Sequence, residues 1–571
     1  MSGGAVAVDR NTTEQVLGRL VSAVNEAEAV IANTAYSSPI VEGQDFTAAI
    51  YDADQQLLAQ SRRCLGEFVG TLGRGMRSVL ERIPPETLSP GDTLITNDPW
   101  LGGGHIPDVL SMRPVFWDGE LAALVGNIAH LSDLGGNPNA DARDNFEEGF
   151  HIPPIHLMRQ GRLNQDVLGF IGANSRLPKQ VMGDVQAQSA ANALMERRVR
   201  ELLGEMGLAT FRAQAEWIQA LAERAMRERI QCMPDGHYLG EAMSDGVGEP
   251  VRIATQITIS GSEVSVDFEG TSPESRWGIN VPFNLTVAET MYALRVLLGP
   301  DIPLLEGSFR PFSVRAPLGS ILNPRPPAPT MVRTIVVHNV CAAVWLALSP
   351  LVPDHVSPDR LSAHFGGVWS FRFRGVYREV PSAYLRGGPR HMSGPYTETY
   401  LASGGMGALA SHDGRHAVSM PVNCWNIPIE VMESRAPVLF EEKRLLTDSG
   451  GPGTFRGGLG QRVRIQALSD EPIDFIVGTI DRIDHAPFGL RGGGAGAPGQ
   501  LLIDDQSLDR RLPHRMARGQ VVTACMPGGG GFGPPAERDP EAVRRDVELG
   551  YVSPEAAASA YRVEVDGGRV N

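Results

Sequence analysis

Thr96-Asn97-Asp98-Pro99-Trp100-Leu101-Gly102-Gly103-Gly104-His105-Ile106-Pro107-Asp108 leads into two apolar runs that flank Asp118-Gly119-Glu120, the second ending in Asn127-Ile128-Ala129-His130. Three successive glycines cannot sustain a regular element, and Pro107 excludes a helix interior between His105 and Asp108. Those two side chains therefore belong to a loop or to the first residues of a strand. The runs 109–117 and 121–130 predict a β-hairpin, with Pro114 marking the first strand as an edge or as bulged. A three-residue turn with Gly119 at positive φ sets Asp108 opposite His130, their Cα atoms about 4.5 to 5.5 Å apart. A two-residue Asp-Gly turn would rotate His130 to the other face. Two imidazoles and a carboxylate converging at the open end of a hairpin suit a divalent metal that keeps open coordination positions. The same polar residues beside glycines also describe a turn that satisfies its own hydrogen bonds. The spacing His105-x-x-Asp108 differs from the H-x-[DE] of two-histidine, one-carboxylate iron oxygenases.

Upstream of this stretch, residues 12–35 place Val16, Leu20, Ala23, Val24, Ala27 and Ile31 on one helical stripe behind a capping-box pattern, Thr12 with Gln15. Residues 45–54 read as a strand preceded by Asp45, a turn former or a ligand, and 91–96 as a second strand that delivers the chain into the glycine loop. Downstream, Asp133 opens a loop through Gly135-Gly136 into a solvated acidic run, 141–148, and His151 and His156 read as structural or surface residues. Two amphipathic helices, 184–206 and 209–230, form a helical hairpin. From 236 the pattern turns to short β-branched segments, interrupted by helices at 285–298 and, of buried character, at 334–348. Beyond 368, strands alternate with glycine-rich loops that read as tight-turn chemistry, and two short helices with proline in the first turn close the chain. The expected fold class is α+β mixed and multidomain, an N-terminal α/β metal-binding part followed by β-rich domains with helices. Its expected division is 1–235, α/β with the metal site and helical hairpin; 236–365, a middle α+β domain; 366–535, β-rich; and 536–571, a helical tail.

With 571 residues, 42% of them hydrophobic and 20% charged, the chain is globular and too long for one ordinary core. A net charge of -15 argues against phosphate-backbone binding and so against a nucleic-acid partner. No apolar run reaches the ~20 residues of a membrane helix. The first ten residues lack a basic segment followed by an apolar one, so the expectation is a cytoplasmic protein without a secretory leader. The five cysteines are scattered and contain no C-x-x-C pair, which supports neither a disulfide framework nor a zinc knuckle. Lysine occurs only at Lys179 and Lys443, in neither case within G-x-x-x-x-G-K-[ST], and a P-loop nucleotide site is excluded.

A set of motifs spread over nearly the whole chain resembles one family. They are Thr34-Ala35-Tyr36-Ser37 with Asp45-Phe46, Thr96-Asn97-Asp98-Pro99 with Gly102-Gly103 and His105-x-x-Asp108, and Ala129-His130 with Asp133 and Gly135-Gly136. Further on come Asp301-Ile302-Pro303 with Glu306-Gly307, Asn323-Pro324-Arg325-Pro326-Pro327-Ala328, Pro428-Ile429-Glu430, Asp448-Ser449-Gly450-Gly451, Phe455-Arg456-Gly457-Gly458-Leu459-Gly460 and the Gly528 to Gly531 tail. On these residues the chain resembles the B subunits of the hydantoinase/oxoprolinase group, whose relatives include the large subunits of acetone and acetophenone carboxylases. The resemblance implies a divalent metal, manganese or zinc, held by His105, Asp108 and His130 with Asp45 as fourth ligand. It implies an A-type partner subunit with an actin/Hsp70-like fold that holds ATP and Mg and phosphorylates the substrate, in a hetero-oligomer such as A2B2. The implied function is ATP-dependent hydrolysis of a cyclic amide or imide, with Asp98 or Asp133 accepting a proton or orienting a histidine. The alternatives are a subunit of an ATP-dependent ketone carboxylase and a noncatalytic scaffold subunit. One segment departs from the pattern. Where the family shows His-Ile-Pro-x-His after Leu-x-Ala-Gln, Ala59-Gln60 is followed here by Ser61-Arg62-Arg63-Cys64-Leu65-Gly66-Glu67-Phe68. The resemblance leaves the substrate open.

Overall fold

The computed structural model describes residues 10–61, 63–377, 394–566 and 569–570. Residues 1–9, on which most of the reading of the N-terminus rests, lie outside the described residues. The hairpin forms the centre of a seven-stranded antiparallel sheet. Its strands are β1 (Phe46–Asp52), β2 (Leu57–Gln60), β3 (Thr93–Thr96), β4 (Asp108–Trp117), β5 (Glu120–His130), β6 (Ile155–Arg159) and β7 (Arg162–Leu163), in the order β2-β1-β5-β4-β3-β6-β7.

The turn corrects the three-residue expectation. Asp118 and Gly119, at φ 48° and 85°, make a two-residue turn with Trp117 paired to Glu120. A bulge then places Ala122 as an extra residue, since Val115 pairs with Ala123 while Phe116 pairs with Leu121. That one residue shifts the register, and Asp108 does pair with His130. Pro114 is not on an edge strand, because β4 lies between β5 and β3. It is tolerated because β3 pairs only as far as Met112, so that beyond this point one side of β4 carries no ladder.

Helices cover one face of this sheet. The first runs Arg10–Thr34 with its whole predicted stripe buried, and it begins before Thr12, so the capping-box pattern does not mark its start. The helix Pro178–Met206 lies on β4 and β5 and is fixed by buried amides. Asn127 donates to the Gln188 carbonyl (3.0 Å) and the Asn192 side chain (2.8 Å), while Gln188 donates to the Val109 carbonyl (2.8 Å). Such directional polar contacts fix one helix position where apolar packing would allow several, although the Asn127 and Gln188 side-chain oxygens find no partner.

A second sheet, β8 (Gly236–Ser244), β9 (Val251–Ser260), β10 (Glu263–Asp267) and β11 (Phe312–Arg315), has the order β11-β10-β9-β8. The apolar helix Thr334–Leu348 is packed between this sheet and the helix Phe283–Leu298. It is apolar enough for a membrane, but it is largely buried in the protein's own interior. Two further sheets are built from β12 (Val368–Tyr377), β13 (Gly394–Ser403), β14 (Val438–Leu445), β15 (Gln461–Ala467), β16 (Ile473–Val477), β17 (Gln500–Ile503), β18 (Gln506–Ser507), β19 (His514–Met516) and β20 (Val521–Cys525). Their orders are β13-β12-β16-β19 and β14-β15-β20-β17-β18. Phe371, Phe373 and Phe475 from the first of these and Val463 and Ile465 from the second share one buried apolar cluster.

The glycine-rich loops are more than turns. Gly528 to Gly531 threads between three of them, and the contacts are main chain to main chain. Gly529 donates to the Gly458 carbonyl (2.9 Å) and Gly531 to that of Gly494 (2.9 Å), and Gly451 and Ala408 donate to the carbonyls of Gly529 and Gly530 (2.8 Å each). A Cβ on Gly529 would collide with the Met406 carbonyl, and one on Gly528 with that of Ser449. Glycine is required here for close approach of backbones.

Candidate metal centre

Three local devices bring His105, Asp108 and His130 together. The register places Asp108, the first residue of β4, across from His130, the last of β5. The loop that delivers His105 is clamped by Asn97, whose amide donates to the carbonyls of Ile106 (3.0 Å) and Phe150 (2.9 Å) while its oxygen accepts from the Ile152 N–H (2.7 Å). The glycines supply room, since Gly104 has φ +91° and a Cβ on Gly103 would collide with the Asp108 side chain.

One ligand atom from each of the three residues lies within 4.8 Å of the others. His105 Nε2 is 2.8 Å from Asp108 Oδ1 and 3.2 Å from His130 Nδ1, which is itself 3.0 Å from the same oxygen. His105 Nδ1 lies 2.9 Å from the Met331 carbonyl, which can only accept. That contact assigns the ring proton of the neutral imidazole to Nδ1 and leaves a lone pair on Nε2. The lone pair faces a carboxylate oxygen at hydrogen-bond distance, an arrangement that needs a cation, either a proton or a metal. Burial, reinforced by the charge of Arg333, holds His105 down to about 4, which disfavours the proton. Burial alone would raise the Asp108 carboxyl, but a cation on the His105 side together with the Arg333 guanidinium outweighs it and holds the group well below the usual carboxylate range. A carboxylate oxygen and two imidazole nitrogens form an N, N, O donor set, and these residues fit a divalent metal.

Asp45 stands just outside the triad. Its Oδ2 is 3.8 Å from His130 Nδ1, and its backbone carbonyl accepts from the His130 N–H at 3.0 Å. Burial pushes its carboxyl up, against the pull of His130. Asp98 accepts from the Trp100 N–H (3.0 Å) and lies 3.7 Å from Arg82. Asp133 pairs with Arg176 (2.6 Å) and accepts from Ser175 (3.2 Å). Among the described residues, neither Asp98 nor Asp133 hydrogen-bonds to either histidine. His151 and His156 stay apart from the cluster, His151 against the Asn145 carbonyl (3.0 Å) and His156 at 3.6 Å from Asp92.

The structure adds four side chains that sequence analysis did not single out. Arg333, 2% exposed, donates through one nitrogen to Asp108 Oδ2 (2.8 Å), Glu67 Oε2 (3.1 Å) and the Gly103 carbonyl (2.8 Å). His338 Nε2 lies 2.9 Å from Glu67 Oε1. Burial would raise Glu67, but Arg333 and His338 reverse it and the carboxyl is held low. Glu67 falls in the segment that departs from the family pattern. The available signal for Arg333 was a lone cation at the N-terminus of an otherwise apolar helix. Glu148 corrects the expectation of a merely solvated acidic run. It is fully buried and accepts from the N–H groups of Thr330 (2.5 Å) and Met331 (2.6 Å), so it fixes the carbonyl on which His105 rests.

The cluster opens on a cavity of about 100 Å³ whose far wall is the face of the β12 sheet, with Ser370, Arg372, Thr399 and Ile476. The hydantoinase B/oxoprolinase family model matches residues 9–535. The caprolactamase subunit beta of Pseudomonas jessenii is 31% identical, over 98% of this chain and 97% of its own. The crystal structure of the ATP-dependent caprolactamase from Pseudomonas jessenii superposes with a TM-score of 0.86 at 29% identity, covering 99% of this chain and 98% of that one. A nucleotide-free structure of acetone carboxylase superposes with a TM-score of 0.83 at 20% identity, covering 98% of this chain and 80% of that one. At that identity the likeness is one of fold.

Proposed function

Since the chain belongs to the hydantoinase B/oxoprolinase family, we propose that it is the metal-binding, B-type subunit of an ATP-dependent hydrolase of cyclic amides or imides. Its substrate arrives phosphorylated by an A-type partner subunit. The observation that carries this reading is the confrontation of the His105 lone pair with the Asp108 carboxylate at the floor of a cavity. The likeness to the ATP-dependent caprolactamase supports the reaction class, and the missing P-loop agrees with ATP being held on another chain.

An amide carbonyl is a poor electrophile, and phosphorylation of its oxygen creates a leaving group. A divalent cation, manganese or zinc, would supply a Lewis acid and lower the pKa of water at the ring carbon. His105, Asp108 and His130 would hold it, with Asp45 as fourth ligand. Arg333 and Glu67 orient Asp108, and Glu148 orients His105 through Met331. Asp98 and Asp133 support the loops on either side of the hairpin. The β12 sheet walls the far side of the cavity.

Metal analysis of the purified chain tests the first half of this reading, and ATP consumption with an A-type subunit tests the second. The substrates to compare are hydantoin, 5-oxoproline and lactams, and aryl ketones with bicarbonate. The expected result is one metal per chain and ring opening coupled to ATP. His105→Ala is expected to lose both metal and turnover. Retained metal stoichiometry in that variant refutes the ligand assignment, and bicarbonate-dependent carboxylation without ring opening refutes the hydrolase.

A further inference from the structure

The far wall of the cavity carries a charge that the metal chemistry does not use. Along β12 the side chains alternate. Trp369, Phe371 and Phe373 are buried in the apolar cluster behind the sheet, whereas Ser370 and Arg372 stand on the face that bounds the cavity. Arg372 pairs in register with Thr399 on β13 and Ile476 on β16, and both of these line the same cavity. It therefore occupies the middle strand of the wall that confronts His105, Asp108 and His130.

Its Nε is buried without a hydrogen-bond partner, and among the described residues its guanidinium makes no ion pair. The other cation of the cavity, Arg333, likewise leaves Nε unpartnered but bonds two carboxylates. The carboxylate that Arg372 does feel is Asp133, and Asp133 is already bonded to Arg176. Arg374 on the same strand is likewise paired, to Asp474 at 3.1 Å. Burial lowers Arg372 to about 10, which leaves it cationic at neutral pH. A half-buried cation that has no carboxylate of its own is costly unless a ligand supplies one, and a guanidinium fork matches the oxygens of a phosphate in pairs.

We infer that Arg372 is a substrate-binding residue that receives a phosphate oxyanion in this cavity, opposite the His105–Asp108–His130 cluster. The oxyanion is either the phosphoryl group of the activated substrate or the phosphate released from it. This inference rests on the reading that a phosphorylated substrate reaches the site. It gives the two walls separate tasks: the hairpin handles the reacting carbon, and the sheet handles the group that leaves. Specificity for an activated over an unactivated ring would then reside in Arg372.

Calorimetric titration of the full chain, metal-loaded and chelated, with orthophosphate and with phenyl phosphate tests the inference. In Arg372→Gln, Kd is expected to rise roughly tenfold to hundredfold for whichever probe the wild type binds, with partial recovery in Arg372→Lys. A loss confined to orthophosphate assigns the released product, and a loss that extends to the ester assigns the activated substrate. Circular dichroism and thermal melting of both variants establish that they are folded. Equal affinity in Arg372→Gln, or no binding of either probe by the wild type, overturns the inference. Metal content measured on the same samples separates the two readings. Normal metal with unaltered phosphate affinity removes only the role of Arg372. Arginine-dependent phosphate binding in a chain that holds no metal removes the proposed function instead.

Discussion

Arg333→Met tests how the cluster is held together. The substitution keeps an unbranched apolar stem in place of the arginine's methylenes and removes the one cation bonded to both Asp108 and Glu67. The two carboxylate oxygens bond a single nitrogen, at 2.8 and 3.1 Å, so they cannot be farther apart than those two distances laid end to end. Two unit charges at about 6 Å repel by about 3 kcal/mol at an effective dielectric of about 20. Breaking a buried ion pair by removing one partner costs about 3–5 kcal/mol, the same scale reached from a different direction. The metal-free variant is therefore expected to unfold about 3–5 kcal/mol more readily than the metal-free wild type. A divalent cation should restore part of this loss, since a ligand at about 100 times its Kd adds about 2.7 kcal/mol. The gain should be larger in the variant, where an extra negative charge is left uncompensated. The assay is urea unfolding in chelator and in excess manganese, with midpoints compared at one protein concentration. A variant whose midpoint in chelator matches the wild type would refute the electrostatic account. Equal stabilisation of both proteins by metal would refute the link between Arg333 and the site.

Other parts of the structure give sharper single outcomes. Glu148→Ala frees the N–H groups of Thr330 and Met331. Loosening the carbonyl that orients His105 should weaken metal binding about tenfold to hundredfold, as read by competition with a chromogenic chelator. Burial pushes Glu398 up to about 7, above the 4.5 of an ordinary glutamate, while its bond from Ser38 only partly offsets this. The folded chain thus keeps that proton where the unfolded chain has lost it. The group's contribution is complete below about pH 4.5 and is lost as the pH rises to about 7, at about 1.4 kcal/mol per unit. Glu398→Gln should accordingly gain on the wild type by up to about 3 kcal/mol between pH 4 and pH 8, and parallel stability curves would count against it. Gly529→Ala places a methyl against the Met406 carbonyl and should lower the unfolding midpoint by the equivalent of about 1–3 kcal/mol, with metal content unchanged.

Local periodicity was legible wherever one face of an element is buried. The stripe from Val16 to Ile31 and the apolar run of Thr334–Leu348 became the buried faces expected of them. The pairing of Asp108 with His130 was also legible, but by way of two departures that cancel. The turn is one residue shorter than expected, and the bulge at Ala122 returns that residue. A bulge in an Ala-Ala pair carries no sequence mark. Glu67, Arg333 and Glu148 were illegible for a related reason. Arg333 meets Asp108 across 225 positions of chain, and no spacing rule spans that distance. The acidic run that holds Glu148 looks like solvated loop until a second segment folds over it.

The glycine layer beneath the last two sheets bears on motion. Its contacts are peptide planes bonded to peptide planes, so the rotameric hopping that lets most interiors breathe on fast timescales has nothing to act on there. Gly404 and Gly405 leave β13 directly into this layer, and Gly366 and Gly367 lead from it into β12. The strand that carries Arg372 is thus anchored at one end to a plate whose amides should exchange with solvent only when the whole region opens. Arg372, close to that anchored end, is then a fixed reference for whatever the cavity holds.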